Sequence, residues 1–228
     1  MARFNNLAIV LALLCSHAYA QTSEAVAQSD VFSLVDKPMS DATKKMVIAR
    51  MDAIEHMAKH PIIVRAAHRR DEEGKTLEEV KAIDAQWSRG ECAGLVNELT
   101  RNDVSKLLRI FVEGNPIAYA EAIVCDRVGG TIGFYPQPTD YWQGDEEKFS
   151  KILEDGKLWV GPIVWDESTE AYTIPVSTPI FEDEAPDTEL QTEKTVMKSR
   201  KILGVLYVGI RCIQRDLPIT SETRRPEE

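Results

Sequence analysis

The 228-residue chain carries only four cysteines and four histidines, and 27 basic side chains against 37 acidic ones. Each shortage excludes something. With so few histidines and no HExxH or GxSxG, the usual zinc-protease and serine-hydrolase chemistries have no residues to run on. No Lys/Arg stripe interrupts the acidic balance, so binding to nucleic acid or anionic lipid would lack its electrostatic driving force. Past residue 20, no run reaches the roughly 18 apolar residues that a membrane helix needs. The longest candidate, Ile202 to Ile213, is short and β-branched, and predicts a strand rather than an anchor. Cys92, Cys125 and Cys212 stand far apart and in no CxxC or zinc-ligand spacing. They allow at most one internal disulfide, and buried thiols are the simpler reading.

The N-terminus has the pattern of a secretory signal: Arg3, the apolar run Leu7 to Leu14, then Ala18-Tyr19-Ala20 as a small-x-small cleavage site before Gln21. Export to the periplasm or outside the cell is expected. Leu13 and Leu14 precede Cys15, so it does not read as a lipid-attachment site. Cleavage would remove one base and no acid, leaving 26 basic against 37 acidic residues, a net charge of −11. Residues 21–39 form a weakly patterned lead-in, and one domain is expected over residues 40–213 with a polar tail from 214 to 228.

Helical signals fill the first half. Ser40 can cap a long helix whose apolar residues Val47, Met51, Ile54 and Ala58 recur at spacings of four, three and four, before Pro61 stops it near His60. His56 and His60 lie one turn apart, but no third ligand is placed beside them, and they read as cations at a helix C-terminus. Thr76 and Glu79 form a capping box ahead of Leu77, Val80, Ile83 and Trp87. A third helix follows Asn102, with Val104, Leu107, Leu108 and Phe111 inward and a left-handed cap expected at Gly114-Asn115.

Near Ala118 the period changes from 3.6 to 2. Strands are expected over Ala118 to Cys125, Thr131 to Tyr135, Leu158 to Trp165, Ala171 to Ile180 and Ile202 to Ile213, with a charged loop over residues 181–200. Pro175 argues for an edge or a bulge in its strand. Helices followed by antiparallel strands give an α+β class.

The stretch Thr139 to Phe149, TDYWQGDEEKF, gathers two aromatics, a glycine and four acids around one lysine. Loops of this composition line small-molecule pockets, the rings giving contact area and the carboxylates orientation. Tyr141 and Trp142 are candidate walls, Asp145 an acceptor for an amine or hydroxyl, and Lys148 a donor to a carboxylate, with Asp166 and Tyr172 from the following hairpin completing the ring. Each residue also has a plain structural reading: Asp145 as a helix cap, Lys148 as a solvated helix residue, Asp166 as a turn acid with Ser168, and Trp142 as core. No catalytic residue, metal or cofactor is indicated. Asp140, Asp145 and Asp166 are the best paired-acid or Ca²⁺ set, but their spacing matches no Ca²⁺-binding loop.

Four blocks carry a family resemblance: HPIIVRAAHRR with TLEEVKAIDAQW, then AIVCDRVGGTIGFYPQPTDYWQGDEEKF, then VWDESTEAYTIPVSTPIF, and finally KILGVLYVGI. Together they resemble the Cache, or PDC, extracytoplasmic sensor domains, relatives of the PAS fold. The resemblance implies a five-stranded antiparallel sheet backed by the long N-terminal helix, with a small-ligand pocket between the sheet and the segment after its second strand. Such domains sit between two membrane helices of a receptor, whereas here a cleavable signal is expected and no second membrane helix follows. The implied partners are a small molecule and a separate membrane sensor protein that receives the signal or the ligand. The competing classes are an exported hydrolase or Ca²⁺-binding protein using Asp140, Asp145 and Asp166, and a structural envelope protein without a pocket.

Overall fold

The computed structural model describes residues 39–182 and 200–212. The expected signal peptide, nearly all of the lead-in, most of the charged 181–200 loop and the tail lie outside these residues. Met39, the last residue assigned to the lead-in, is buried in the core.

Five helices precede the sheet: α1 (Asp41–Ala58), α2 (Pro61–Glu73), α3 (Leu77–Trp87), α4 (Ala93–Arg101) and α5 (Asp103–Gly114). Ser40 caps α1 by accepting from the Thr43 N–H, and Thr76 and Glu79 close the capping box of α3. Two of the five are absent from the sequence reading. Helix α2 starts with a proline at its first turn and ends on Gly74 at φ 62°, the usual arrangement of a start that needs no N–H and an end that needs a left-handed residue. Its N-cap is His60, whose Nδ1 accepts from the Ile62 N–H at 3.2 Å. That bond places His60 at the start of α2 rather than at the end of α1, where the sequence reading put it. Helix α5 ends on Asn115 at φ −147°, so the expected left-handed cap there is not formed. Leu77 is exposed rather than part of the buried face of α3.

The strands are β1 (Tyr119–Asp126), β2 (Thr131–Tyr135), β3 (Trp159–Val160), β4 (Val164–Asp166), β5 (Ala171–Phe181) and β6 (Ile202–Arg211), with α6 (Glu147–Asp155) between β2 and β3. All pairs are antiparallel, in the order β2-β1-β6-β5-β3, and β4 also pairs with β5. The strand expected over Leu158 to Trp165 is thus two short ones. Val160 faces Val176 and Val164 faces Thr173, so residues 161–163 leave the ladder beside Ile174 and Pro175. Pro175 directs its carbonyl to the Gly161 N–H. Its donorless nitrogen lies on that same side, facing the gap, so no β5–β6 bond is lost.

Strand alternation sends the two faces of the sheet into separate cores. Ala122, Val124, Ile174, Val176, Leu206 and Val208 meet Val47 and Ile54 of α1, Ile63 and Ala67 of α2, and Leu108 of α5. Ile123, Cys125, Val205 and Tyr207 meet Val80 and Trp87 of α3, Phe149 and Ile152 of α6, and Tyr141. Each fully buried Ile or Leu in these layers contributes about 2 to 3 kcal/mol. Helical half and sheet half therefore share their cores. Cys92, Cys125 and Cys212 are buried, and none is bridged in a disulfide. No helix among the described residues is long and apolar enough to cross a membrane.

Candidate functional site

A cavity of about 430 Å³ opens on the sheet face opposite α1, between the strands, the start of α6 and the β3–β4 connection. Its floor follows from the register. Glu121, Gly209 and Pro175 form one row across β1, β6 and β5, and Ile123, Tyr207 and Ser177 form the next. Gly209 has no side chain to fill its place in the first row. A Cβ there would stand 3.0 Å from the Glu121 Cγ and 3.3 Å from the Tyr207 hydroxyl. The missing side chain lets Glu121 lean across β6 toward its neighbours.

Glu121 is buried, yet charged residues are rarely found fully buried without a partner. It has two partners. The Tyr207 hydroxyl donates to its Oε1 at 2.6 Å, and it is hydrogen-bonded to Asp166 at the end of β4. Burial, with the adjoining Asp166 bond and charge, pushes the Glu121 carboxyl up to about 8, against smaller opposing effects of Tyr207 and Lys148. Asp166 goes the other way: burial raises it, but bonds from Glu121, Ser168 and Thr169 outweigh that and leave it below the ordinary carboxylate range. Its Oδ1 accepts from the Ser168 N–H at 2.9 Å and the Ser168 hydroxyl at 2.8 Å, and its Oδ2 from Thr169 at 2.8 Å. The two carboxyls are thus pushed apart, Glu121 toward its protonated form and Asp166 toward its ionised form. Tyr207, buried beside this pair, is raised well above the usual phenol range, first by burial and then by Glu121.

The rim is acidic. Asp140, Glu146, Glu147 and Glu167 join Asp166 around the opening, with Lys148 the one basic side chain among the lining residues. Lys148 lies 4.2 Å over the Tyr207 ring and pairs with Glu146 at 3.0 Å. Two buried polar atoms on the wall have no protein partner: the Thr173 hydroxyl and Oε1 of Gln143, whose Nε2 donates to the Asp140 carbonyl. A dry pocket would not leave such atoms unmatched. Among the described residues, no group of three His, Cys, Asp or Glu side chains could hold a metal ion. Asp140 and Asp166 line the cavity, but Asp145 does not join them.

The Thr139 to Phe149 stretch is held against the sheet differently from the expectation. Asp84 of α3 accepts the N–H groups of both Tyr141 and Trp142, at 2.9 and 3.0 Å. Gly130 bridges to Trp142, and the tight turn before it uses Gly129 at φ 89°. So fixed, Tyr141 is fully buried, its hydroxyl accepting from Arg70 at 2.8 Å, and it is core rather than a cavity wall. Trp142 packs outside the cavity, donating to the Val128 carbonyl at 2.9 Å beneath the Lys81 ammonium. Asp145 is exposed, lines no cavity, and does not cap α6, whose N-cap position is Glu146. Tyr172 meets Trp165 edge-on, 5.0 Å between centroids, and packs toward the α1 side of the sheet. Of the six expected residues, Lys148 and Asp166 reach the cavity.

Glu121, Gln143, Thr173 and Tyr207 were missed. Glu121 had a signal: it is the sole charged residue inside the apolar run Ala118 to Cys125, where an acid has no solvent face to occupy. Asp84 had one too, standing four residues after Val80 and three before Trp87, inside the buried stripe of its helix.

No protein-family model matches the chain, and no curated protein sequence does. Solved structures do. The ligand-binding domain of the Campylobacter jejuni chemoreceptor Tlp3, in complex with 4-methylisoleucine, is 13% identical with a TM-score of 0.36, over 75% of this chain and 61% of that one. The sensor domain of the V. cholerae histidine kinase DctB is 13% identical with a TM-score of 0.41, over 86% and 57%. The ligand-binding domain of the Pseudomonas aeruginosa amino acid chemoreceptor PctC, in complex with GABA, is 17% identical with a TM-score of 0.35, over 60% and 58%. The chain thus spans about three fifths of the length of the solved domains it matches. At this identity and overlap, the ligands of those proteins say nothing of this one.

Proposed function

We propose that residues 40–213 form one Cache-like sensor unit, exported after removal of residues 1–20, that binds a small polar organic molecule and passes its ligand state, or the ligand, to a separate membrane protein. The observation that carries the reading is the cavity itself: about 430 Å³ with buried, unmatched polar atoms of Gln143 and Thr173 in its wall. That volume suits a metabolite-sized ligand, and the unmatched atoms call for polar groups on it. The acidic rim favours a positively charged nitrogen, placed against Asp166, while Lys148 is the donor available to a carboxylate at the other end. Binding without turnover is the expected behaviour. No histidine among the described residues lines the cavity, and Asp166, the carboxylate that accepts from the Ser168 hydroxyl, is held below the ordinary carboxylate range and is a weak base for activating it.

Thermal shift of the purified protein across amines, amino acids and carboxylates tests this. A ligand at 100 times its dissociation constant should stabilise by about 2.7 kcal/mol. Silence across the library would favour the structural envelope role, and multiple turnover of a hit would favour an enzyme. Export is checked by the mass of the mature protein, expected to begin at Gln21.

A further inference from the structure

We propose that the protein carries a second ligand site, separate from the sheet cavity: the cleft between α2 and the α4–α5 pair takes a small organic monoanion, with its carboxylate on Arg65 and Arg69 and its apolar body on the cleft floor.

The cleft has a volume of about 550 Å³. Ile62, Arg65, Ala66, Arg69, Arg70 and Glu73 line it from α2, recurring at the spacings of three and four that share one side of a helix. Leu95, Glu98 and Leu99 line it from α4 by the same rule, and Val104 of α5 and Ile132 of β2 close the bottom. Ala66, Leu99, Val104 and Ile132 are buried, whereas Arg65, Arg69 and Glu98 are exposed. The floor is therefore apolar and the charges stand along its edges.

The state of those charges decides what the cleft can hold. Arg70 is fully engaged: it lies 3.1 Å from Glu73 and 3.3 Å from Asp126, and it donates to the Tyr141 hydroxyl at 2.8 Å. His68, on the same helix, stands 3.6 Å from Glu72 and 3.5 Å from Glu182. Arg65 and Arg69 have no carboxylate partner among the described residues. Glu73, one turn beyond Arg69, is taken by Arg70. Two guanidinium groups one turn apart repel each other, and in a chain with 37 acidic side chains against 27 basic ones no described acid offsets them. A carboxylate set between them removes the repulsion, and the planar N–H forks match its two oxygens.

The opposite wall limits the ligand to one negative charge. Asp103 pairs there with Lys106 at 3.0 Å, and Glu98 has no basic partner among the described residues. A second carboxylate reaching across the floor would meet Glu98. An uncharged molecule of the same shape would keep the floor and lose the arginines, and a cation would meet two like charges on α2. The sheet cavity, with its acidic rim, selects for the opposite sign.

The test is a methyl NMR titration of the full chain, labelled at Ile, Leu and Val, with hexanoate as the probe. 1-Hexanol, hexylammonium and adipate are its uncharged, cationic and dianionic counterparts. Hexanoate should shift the methyls of Leu95, Leu99, Val104 and Ile132 saturably, while those of Ile123 and Val164 in the sheet cavity stay in place. The three counterparts should bind the cleft about tenfold more weakly or worse, and raising NaCl from 0.05 to 0.5 M should weaken hexanoate severalfold. Arg65→Gln with Arg69→Gln should weaken hexanoate by about tenfold or more with no fall in melting temperature, since neither side chain has a protein partner to lose. No cleft shift up to 50 mM hexanoate would overturn the proposal, as would shifts confined to Ile123 and Val164. Equal binding of 1-hexanol, or unchanged affinity in the double variant, would overturn it too. The wild-type methyl map and the counterparts decide the matter even if the double variant fails to fold, and failure here leaves the sheet-cavity reading standing.

Discussion

Replacing Glu121 by Gln isolates the protonation of a single buried group. The amide keeps the shape and still accepts from the Tyr207 hydroxyl, but it cannot ionise. In the unfolded chain a glutamate releases its proton near 4.5, whereas in the folded protein Glu121 holds it to about 8. Between those values the folded state binds one more proton than the unfolded state, so stability falls as pH rises, by about 1.4 kcal/mol per unit. Over the whole interval the loss is on the order of 5 kcal/mol, and beyond pH 8 it stops. Urea unfolding of wild type and Glu121→Gln at half-unit steps from pH 5 to 9 gives the measurement, because every other titrating group cancels in the difference. The wild type should lose its relative advantage steadily to pH 8 and then run parallel to the variant. A difference that stays within about 0.5 kcal/mol from pH 5 to 8 would refute the retained proton. A difference that grows with pH would mean that Glu121 is ionised and paired with Lys148.

Other outcomes follow from the same contacts. Tyr207→Phe removes a hydroxyl that lowers the Glu121 carboxyl, so the midpoint of the same pH difference should move upward, at a stability cost of about 1 kcal/mol. Gly209→Ala places a methyl 3.0 Å from the Glu121 Cγ and should cost about 1 to 3 kcal/mol by urea unfolding, with weakened binding of any cavity ligand. Arg70→Met strands the buried Asp126, 3.3 Å from the guanidinium, and removes a donor from the Tyr141 hydroxyl; a loss of about 3 to 5 kcal/mol is expected in the same assay. Asp145→Asn, at an exposed position away from the cavity, should shift neither ligand affinity nor stability by more than about 0.5 kcal/mol.

Local patterns determined the parts of this protein that are written in contiguous residues. Ser40 and the Thr76–Glu79 box set two helix starts, the change of period at Ala118 set the turn to strands, and the alternation of Ile174, Val176 and Ile180 set which side of β5 faces the helices. Pro175 was legible as a break in pairing, although the break lies in its partner, where β3 and β4 part. The site was legible only where burial did not decide. Lys148 and Asp166 reached the cavity, but Tyr141, Trp142 and Asp145 were placed by residues far off in the chain: Asp84 grips the loop backbone from 57 residues away and Arg70 takes the Tyr141 hydroxyl from 71 away. With those two bonds made, the aromatics turn into the core and α6 starts one residue too late for Asp145 to cap it. Glu121 and Asp166 become a pair solely because β1, β6, β5 and β4 lie side by side and Gly209 leaves a space between them. A strand's own residues fix which way each side chain points, but the atom it meets, and hence its charge, depends on the register of strands that the chain brings together from a distance.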